Sequence, residues 1–156
     1  IVGGATAVFT SWIAGKFDSA RGPKPVITWS IAVLIVVCTV IVGMDRESLW
    51  GIPLDSASST PDMIFFICGA LIGGAGGPLQ SASRTMLLRH STPDKVTEAF
   101  GMFALSGKVA SFMTPALIGL FTHFSGSARI GIAPVILLFA IALILLLWVN
   151  PKGERA

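Results

Sequence analysis

Charge is scarce in this sequence. Only 12% of its residues are Asp, Glu, Lys or Arg, against 53% hydrophobic, and the mean hydropathy is +0.82. A water-soluble domain cannot cover its surface with so few charges, so the composition points to an integral membrane protein. The basic excess is small, a formal +3 and a pI near 9.2, and it is dispersed among short segments. Without a basic face or an interleaved aromatic platform, nucleic acid is not an expected partner. Cysteine is limited to Cys38 and Cys68, both inside apolar stretches, which reads as buried thiols and excludes a disulfide framework. The two histidines, His90 and His123, fall in polar segments on opposite sides of the membrane and cannot form one site. No metal and no cofactor is expected. The glycine run GGAGGP at 73–78 has no strand before it and no Lys-Ser/Thr after it, so it is not a phosphate-cradling loop.

What the sequence does have is long apolar runs. About twenty largely apolar residues cross the hydrocarbon core of a bilayer as a helix. The chain opens on IVGGATAVFTSWIAG, fifteen residues before Lys16, with no basic start and no cleavage site of a signal peptide. This reads as a partial span over 1–15, cut within a helix. A tight loop, KFDSARGPKP at 16–25, follows, with Gly22, Pro23 and Pro25 as helix breakers. Further spans are expected at about 26–43, 63–83, 98–121 and 130–149. Residues 44–62 are polar and turn-rich, carrying Asp45, Glu47, Asp55 and Asp62 with Arg46. Arg84, Arg89, His90, Asp94 and Lys95 are placed in a loop after the third uncharged run, and Thr92-Pro93 reads there as an N-cap followed by a first-turn proline. The whole of 1–156 is taken as one transmembrane portion, an all-α polytopic helix bundle.

The stretch from Phe100 to Phe121 organises the rest because it holds one charge, Lys108, in an otherwise uncharged span. If the helix enters near Glu98, ten residues at roughly 1.5 Å each put Lys108 about 15 Å deep, near the midplane. A lysine there costs about 2.5–3.5 kcal/mol to insert, so it should face other helices or a water-filled cavity. Gly101, Ala104, Lys108, Ser111 and Pro115 recur at intervals of three and four and share one face. Small residues on that stripe admit a neighbouring helix, and Pro115 leaves a backbone carbonyl without its donor. A second face of small and polar residues, Gly69, Gly73, Gly76 or Gly77, Gln80 and Arg84, reads most simply as close helix packing; Gln80 and Arg84 then either cap the helix end or line an inner vestibule.

Orientation follows from the basic residues. Alternating the loops puts Lys16, Arg21, Lys24, Arg84, Arg89, Lys95, Lys152 and Arg155 on one side, against Arg46 and Arg129 on the other. The richer side is expected in the cytoplasm, with the C-terminus. Trp12, Trp29 and Trp148 near the inner helix ends, and Trp50 in the outer loop, mark the interfaces.

The loop GKFDSARGPK resembles the cytoplasmic loop motif of the major facilitator superfamily, although the family's glycine stands three residues after the acid and Gly22 stands four after Asp18. Added to it, QSASR at 80–84, FGMFALSGKVASFMTP at 100–115 and ARIGI at 128–132 resemble the vacuole-effluxer-like branch of that superfamily. The resemblance implies the C-terminal part of a twelve-helix transporter, from the end of helix 8 through helix 12, with its N-terminal half outside this sequence. It implies secondary active transport by alternating access, with efflux of amino acids or a similar small metabolite, and the bacterial cytoplasmic membrane as the location. The expected partners are the lipid bilayer, the missing half and a small-molecule substrate, with protons as a guessed coupling ion.

Expected substrate or coupling residues are Lys108, Ser111, Ser106, Gln80 and Arg84, and the expected cytoplasmic gate is Asp18, Arg21 and Lys24. Ser106 does not share the Lys108 face. No catalytic residue is expected. The competing readings are a non-transporting membrane scaffold, with Lys108 paired to an acid on another chain, and an intramembrane hydrolase using Ser111 with Lys108 as base.

Overall fold

The computed structural model describes residues 2–44, 48–49, 52–53 and 59–151. Five long helices dominate: α1 (Val2–Arg21), α2 (Pro23–Gly43), α3 (Thr60–His90), α4 (Val96–Ser125) and α5 (Ala133–Trp148), with 3-10 turns at Pro93–Lys95 and Ile130–Ile132. A two-residue antiparallel pairing, Ser48–Leu49 with Ile52–Pro53, lies between α2 and α3. Four helical segments, Pro23–Gly43, Thr60–His90, Pro93–Ser125 and Ile130–Trp148, are long and apolar enough to cross a membrane. The chain is an all-α integral, multi-pass membrane protein. Trp50, Asp45, Arg46, Glu47, Asp55, Lys152 and Arg155 lie outside the described residues.

The expected loop at 16–25 is corrected to a single residue. Lys16, Asp18 and Arg21 belong to α1, Gly22 turns the chain with φ +86°, and Pro23 already begins α2. Proline breaks the helix before it but is well suited to a first turn, where its missing N–H would have had no partner. Gly22 is tied down by its N–H donating to the Asp18 carbonyl at 2.9 Å. Likewise Arg84, Arg89 and His90 are helical, not in a loop: α3 runs to His90 before Ser91 leaves it in an extended conformation. Polar side chains do not end a helix that leaves the apolar layer; a lost backbone donor or a special dihedral does. Thr92 is extended and Pro93 starts a 3-10 turn, as the Thr-Pro pair predicts, although the Thr92 hydroxyl makes no cap.

The buried centre lies where α2, α3 and α5 meet. Ile27 and Ile31 of α2 meet Ala82 and Met86 of α3, and Phe139, Leu143 and Leu146 of α5 pack against them. The ends of α2 and α5 are laced antiparallel. Lys24 Nζ donates to the carbonyls of Leu147 (3.1 Å) and Val149 (2.7 Å), and at the opposite end Arg129 Nη1 donates to the Met44 carbonyl at 2.8 Å. The start of α2 therefore sits at the end of α5, and the guanidinium of Arg89 beside Gly22 brings the end of α3 there as well. Arg21, Lys24 and Arg89 thus gather at one end of the bundle.

The α1 and α3 helices run parallel and touch through small residues. Thr6 Oγ1 donates to the Ala70 carbonyl at 3.0 Å, and the Thr10 hydroxyl shares its one proton between the Gly74 carbonyl at 2.7 Å and the Thr6 carbonyl of its own helix at 2.7 Å. The bond to Gly74 has a cause in the sequence: Pro78, inside α3, has no N–H to give the carbonyl four residues earlier, and Thr10 replaces it. A side chain at Gly74 would meet Thr10, and one at Gly77 would collide with the Ser11 hydroxyl and the Ala7 carbonyl. Gly69 and Gly76, by contrast, have no neighbour within 4 Å. The packing glycines are therefore Gly74 and Gly77, while the Gly69/Gly76 face is open. Periodicity alone does not distinguish the two faces.

Candidate functional site

Helix α4 buries nothing: no residue of Val96–Ser125 is buried. Its C-terminal end is nonetheless anchored. Gly126, with φ +67°, caps it by donating to the Thr122 carbonyl at 2.9 Å, and buried Gly131 fits against Thr122 and Ile118 where a Cβ would collide. The half-covered residues Phe103, Thr114, Leu117, Ile118 and Thr122 mark the side turned to its neighbours. At about 100° per residue, the stripe Gly101, Ala104, Lys108, Ser111 and Pro115 lies roughly a quarter turn away, and all five are exposed. Within these five helices nothing covers it. Lys108, thirteenth of the thirty residues of α4, makes no hydrogen bond or ion pair among the described residues.

Ser111 Oγ donates to the carbonyls of Gly107 (2.8 Å) and Lys108 (3.0 Å) on its own helix, and Ser106 Oγ to that of Phe103 at 2.8 Å. This backbone bonding leaves the Ser111 hydroxyl off the Lys108 amine, which is the opposite of what a serine–lysine dyad requires. Pro115 has no N–H for the Ser111 carbonyl, so the stripe offers an ammonium and, one turn further on, an acceptor freed from the helix ladder. Such a pair can recognise an anionic group and a donor on one ligand. Gln80 and Arg84 are exposed, four residues apart, on the side of α3 opposite its buried residues, and neither makes a hydrogen bond among the described residues. They share the open Gly69/Gly76 face. The α3 and α4 residues thus form two separate uncovered faces.

The expected gate residues take three different roles. Asp18 is half-buried, and its Oδ1 is buried without a partner among the described residues. Arg21, at the end of α1, lines the mouth of a cavity between α1, α2 and α3. Lys24 fastens the end of α5 through its two carbonyl bonds. Asp18 and Arg21 form no ion pair with each other. Arg89, Thr10 and Ser11 were not legible as partners in the sequence; a Thr four residues after another Thr, facing a proline-broken helix, is the signal that would have found Thr10. His90 ends α3 with Nδ1 donating to the Met86 carbonyl at 2.9 Å, and His123 stacks edge-on against Phe124 near the other end of α4.

The Major Facilitator Superfamily profile matches residues 1–156, the full chain. The MFS-type transporter YxiO of Bacillus subtilis is 26% identical over 139 residues, 89% of this chain and 29% of that protein. Autophagy-related protein 22 of Cryptococcus neoformans is 26% identical over 113 residues, 72% of this chain and 19% of its own length. The chain thus spans less than a third of these curated relatives. No solved structure matches it. With helices of spanning length and a family match across all of its residues, the chain belongs to the Major Facilitator Superfamily.

Proposed function

We propose that residues 1–156 are the C-terminal transmembrane portion of a secondary transporter, from the end of helix 8 through helix 12, working by alternating access against an N-terminal half. The observation that carries the reading is the Lys108 stripe of α4. A midplane cation among small residues, exposed along its whole length, is costly against lipid and useful against a second helical domain or a water-filled path. Lys108 is the substrate or coupling charge in this reading, with Ser111 beside it and Ser106 a weaker neighbour. Gln80 and Arg84 line the inner vestibule, and Asp18, Arg21 and Lys24 form the cytoplasmic gate, Lys24 also holding the adjacent end of α5. The transported class is amino acids or similar small metabolites, moved outward and coupled to protons. The end of the bundle that gathers Arg21, Lys24 and Arg89 is placed in the cytoplasm, with the C-terminus, in a bacterial inner membrane.

The test is flux of a labelled amino-acid panel in proteoliposomes holding the full-length transporter, with and without a pH gradient, for the native sequence and Lys108→Gln. Gradient-dependent flux that the substitution abolishes supports the reading. Native flux that survives Lys108→Gln removes Lys108 from the mechanism, and absence of all amino-acid flux removes the substrate class.

A further inference from the structure

The cavity between α1, α2 and α3 lies away from the α4 stripe and has a different chemistry. It is about 650 Å³, with walls such as Ile13, Phe17, Val26, Val33 and Leu71. Its lining residues on α1 run from Thr6 to Arg21, about 22 Å along the helix, which exceeds the roughly 15 Å of one leaflet's hydrocarbon. A second cavity of about 470 Å³ shares Arg21, Pro25 and Trp29 with the first and adds Lys24 and Thr28. An apolar groove thus opens into a cationic mouth.

Three observations indicate what fills it. Arg21 is exposed and makes no hydrogen bond or ion pair among the described residues. Lys24 spends two of its donors on the carbonyls of Leu147 and Val149, which leave its charge unneutralised, and Arg89 lies beside Gly22, so that among the described residues three cations gather here with one acid, Asp18. Trp29 is 74% exposed at the same mouth, where an indole belongs at a membrane interface. Apolar length, interfacial indole and excess positive charge together match the parts of one molecule. We propose that this groove binds an anionic membrane phospholipid, with an acyl chain along α1–α2–α3 and the phosphate at Arg21, beside Lys24 and Trp29.

The full-length transporter, purified in detergent, is incubated with equal amounts of phosphatidylglycerol and phosphatidylcholine, and retained lipid is read by native mass spectrometry. Phosphatidylglycerol is retained in preference, and Arg21→Gln lowers that preference about fivefold, the equivalent of roughly 1 kcal/mol for one interfacial charge. Val33→Phe, which fills the groove without touching the charges, lowers retention of the lipid itself in protein that stays monodisperse. Excess inorganic phosphate does not compete, because the acyl groove contributes nothing to free phosphate. Equal retention of the two lipids, unchanged preference in Arg21→Gln, or displacement by inorganic phosphate overturns the proposal. So does full retention in Val33→Phe, the outcome expected if another helix of the full-length protein covers the groove.

Discussion

The α1–α3 seam and the α4 stripe are written in the same alphabet, small residues and hydroxyls at helical spacing, and they end in opposite states. In the seam each such residue has a counterpart: Thr6 with Ala70, Thr10 with Gly74, Ser11 and Ala7 with Gly77. On α4, a Cβ at Gly101 or Gly107 would meet nothing within 4 Å, and Ser106 and Ser111 bond only to their own helix. Proline sharpens the contrast. The carbonyl released by Pro78 is taken up by Thr10 of another helix, whereas Pro115 releases the Ser111 carbonyl on an exposed face. Small residues therefore permit close approach without specifying it, and what arrives depends on the partner.

The strongest way to break this comparison is to enlarge glycines on both sides of it. Gly77→Leu forces α1 away from α3 and should destabilise the protein by about 3 kcal/mol, the upper end of overpacking, seen as lost monodispersity and a lower Tm in detergent. Gly107→Leu, in open space, should stay within about 0.5 kcal/mol of the parent in the isolated 1–156 chain. Equal effects at the two positions would erase the distinction.

Lys108→Gln reverses the order, because it is expected to abolish flux in the full-length transporter while leaving the stability of the 1–156 chain within about 0.5 kcal/mol of native. A large stability loss in that chain would give Lys108 a structural partner that the exposed stripe does not contain. Smaller in size is Thr10→Val, which withdraws the donor from the Gly74 carbonyl and should cost about 1 kcal/mol. Adding Pro78→Ala returns the helix's own N–H, so the Thr10→Val penalty should shrink in that background; an unchanged penalty would mean that the Thr10 contact is not compensating for the proline. The smallest effect is expected for Lys24→Met, which releases the Leu147 and Val149 carbonyls and should raise amide hydrogen exchange only in the last turn of α5.

The apolar spans were legible because desolvation acts on composition, whatever the neighbours are: α2 and α5 lie close to the expected 26–43 and 130–149. The ends of α1 and α3 were not. Both helices continue through charged residues to Arg21 and His90, since a helix stops where backbone donors and acceptors change partners, and Gly22 and Ser91 are where that happens. Lys24 shows the same limit for sites. Its place beside Asp18 and Arg21 in the chain suggests a gate, but that its hydrogen bonds go to residues more than a hundred positions away is not readable from the chain.

By itself the sequence determined that the chain enters a membrane as apolar helices, that Lys108 lies mid-span, and that it shares a stripe with Ser111 and Pro115. These follow from hydropathy and the helical repeat, which are local. Only the tertiary structure decided that Gly74 and Gly77 pack while Gly69 and Gly76 stay open, that Thr10 serves the carbonyl broken by Pro78, and that Arg21 borders an apolar groove. Each of these depends on the azimuth and register of one helix against another, and that geometry is settled by the summed fit of side chains from distant parts of the chain.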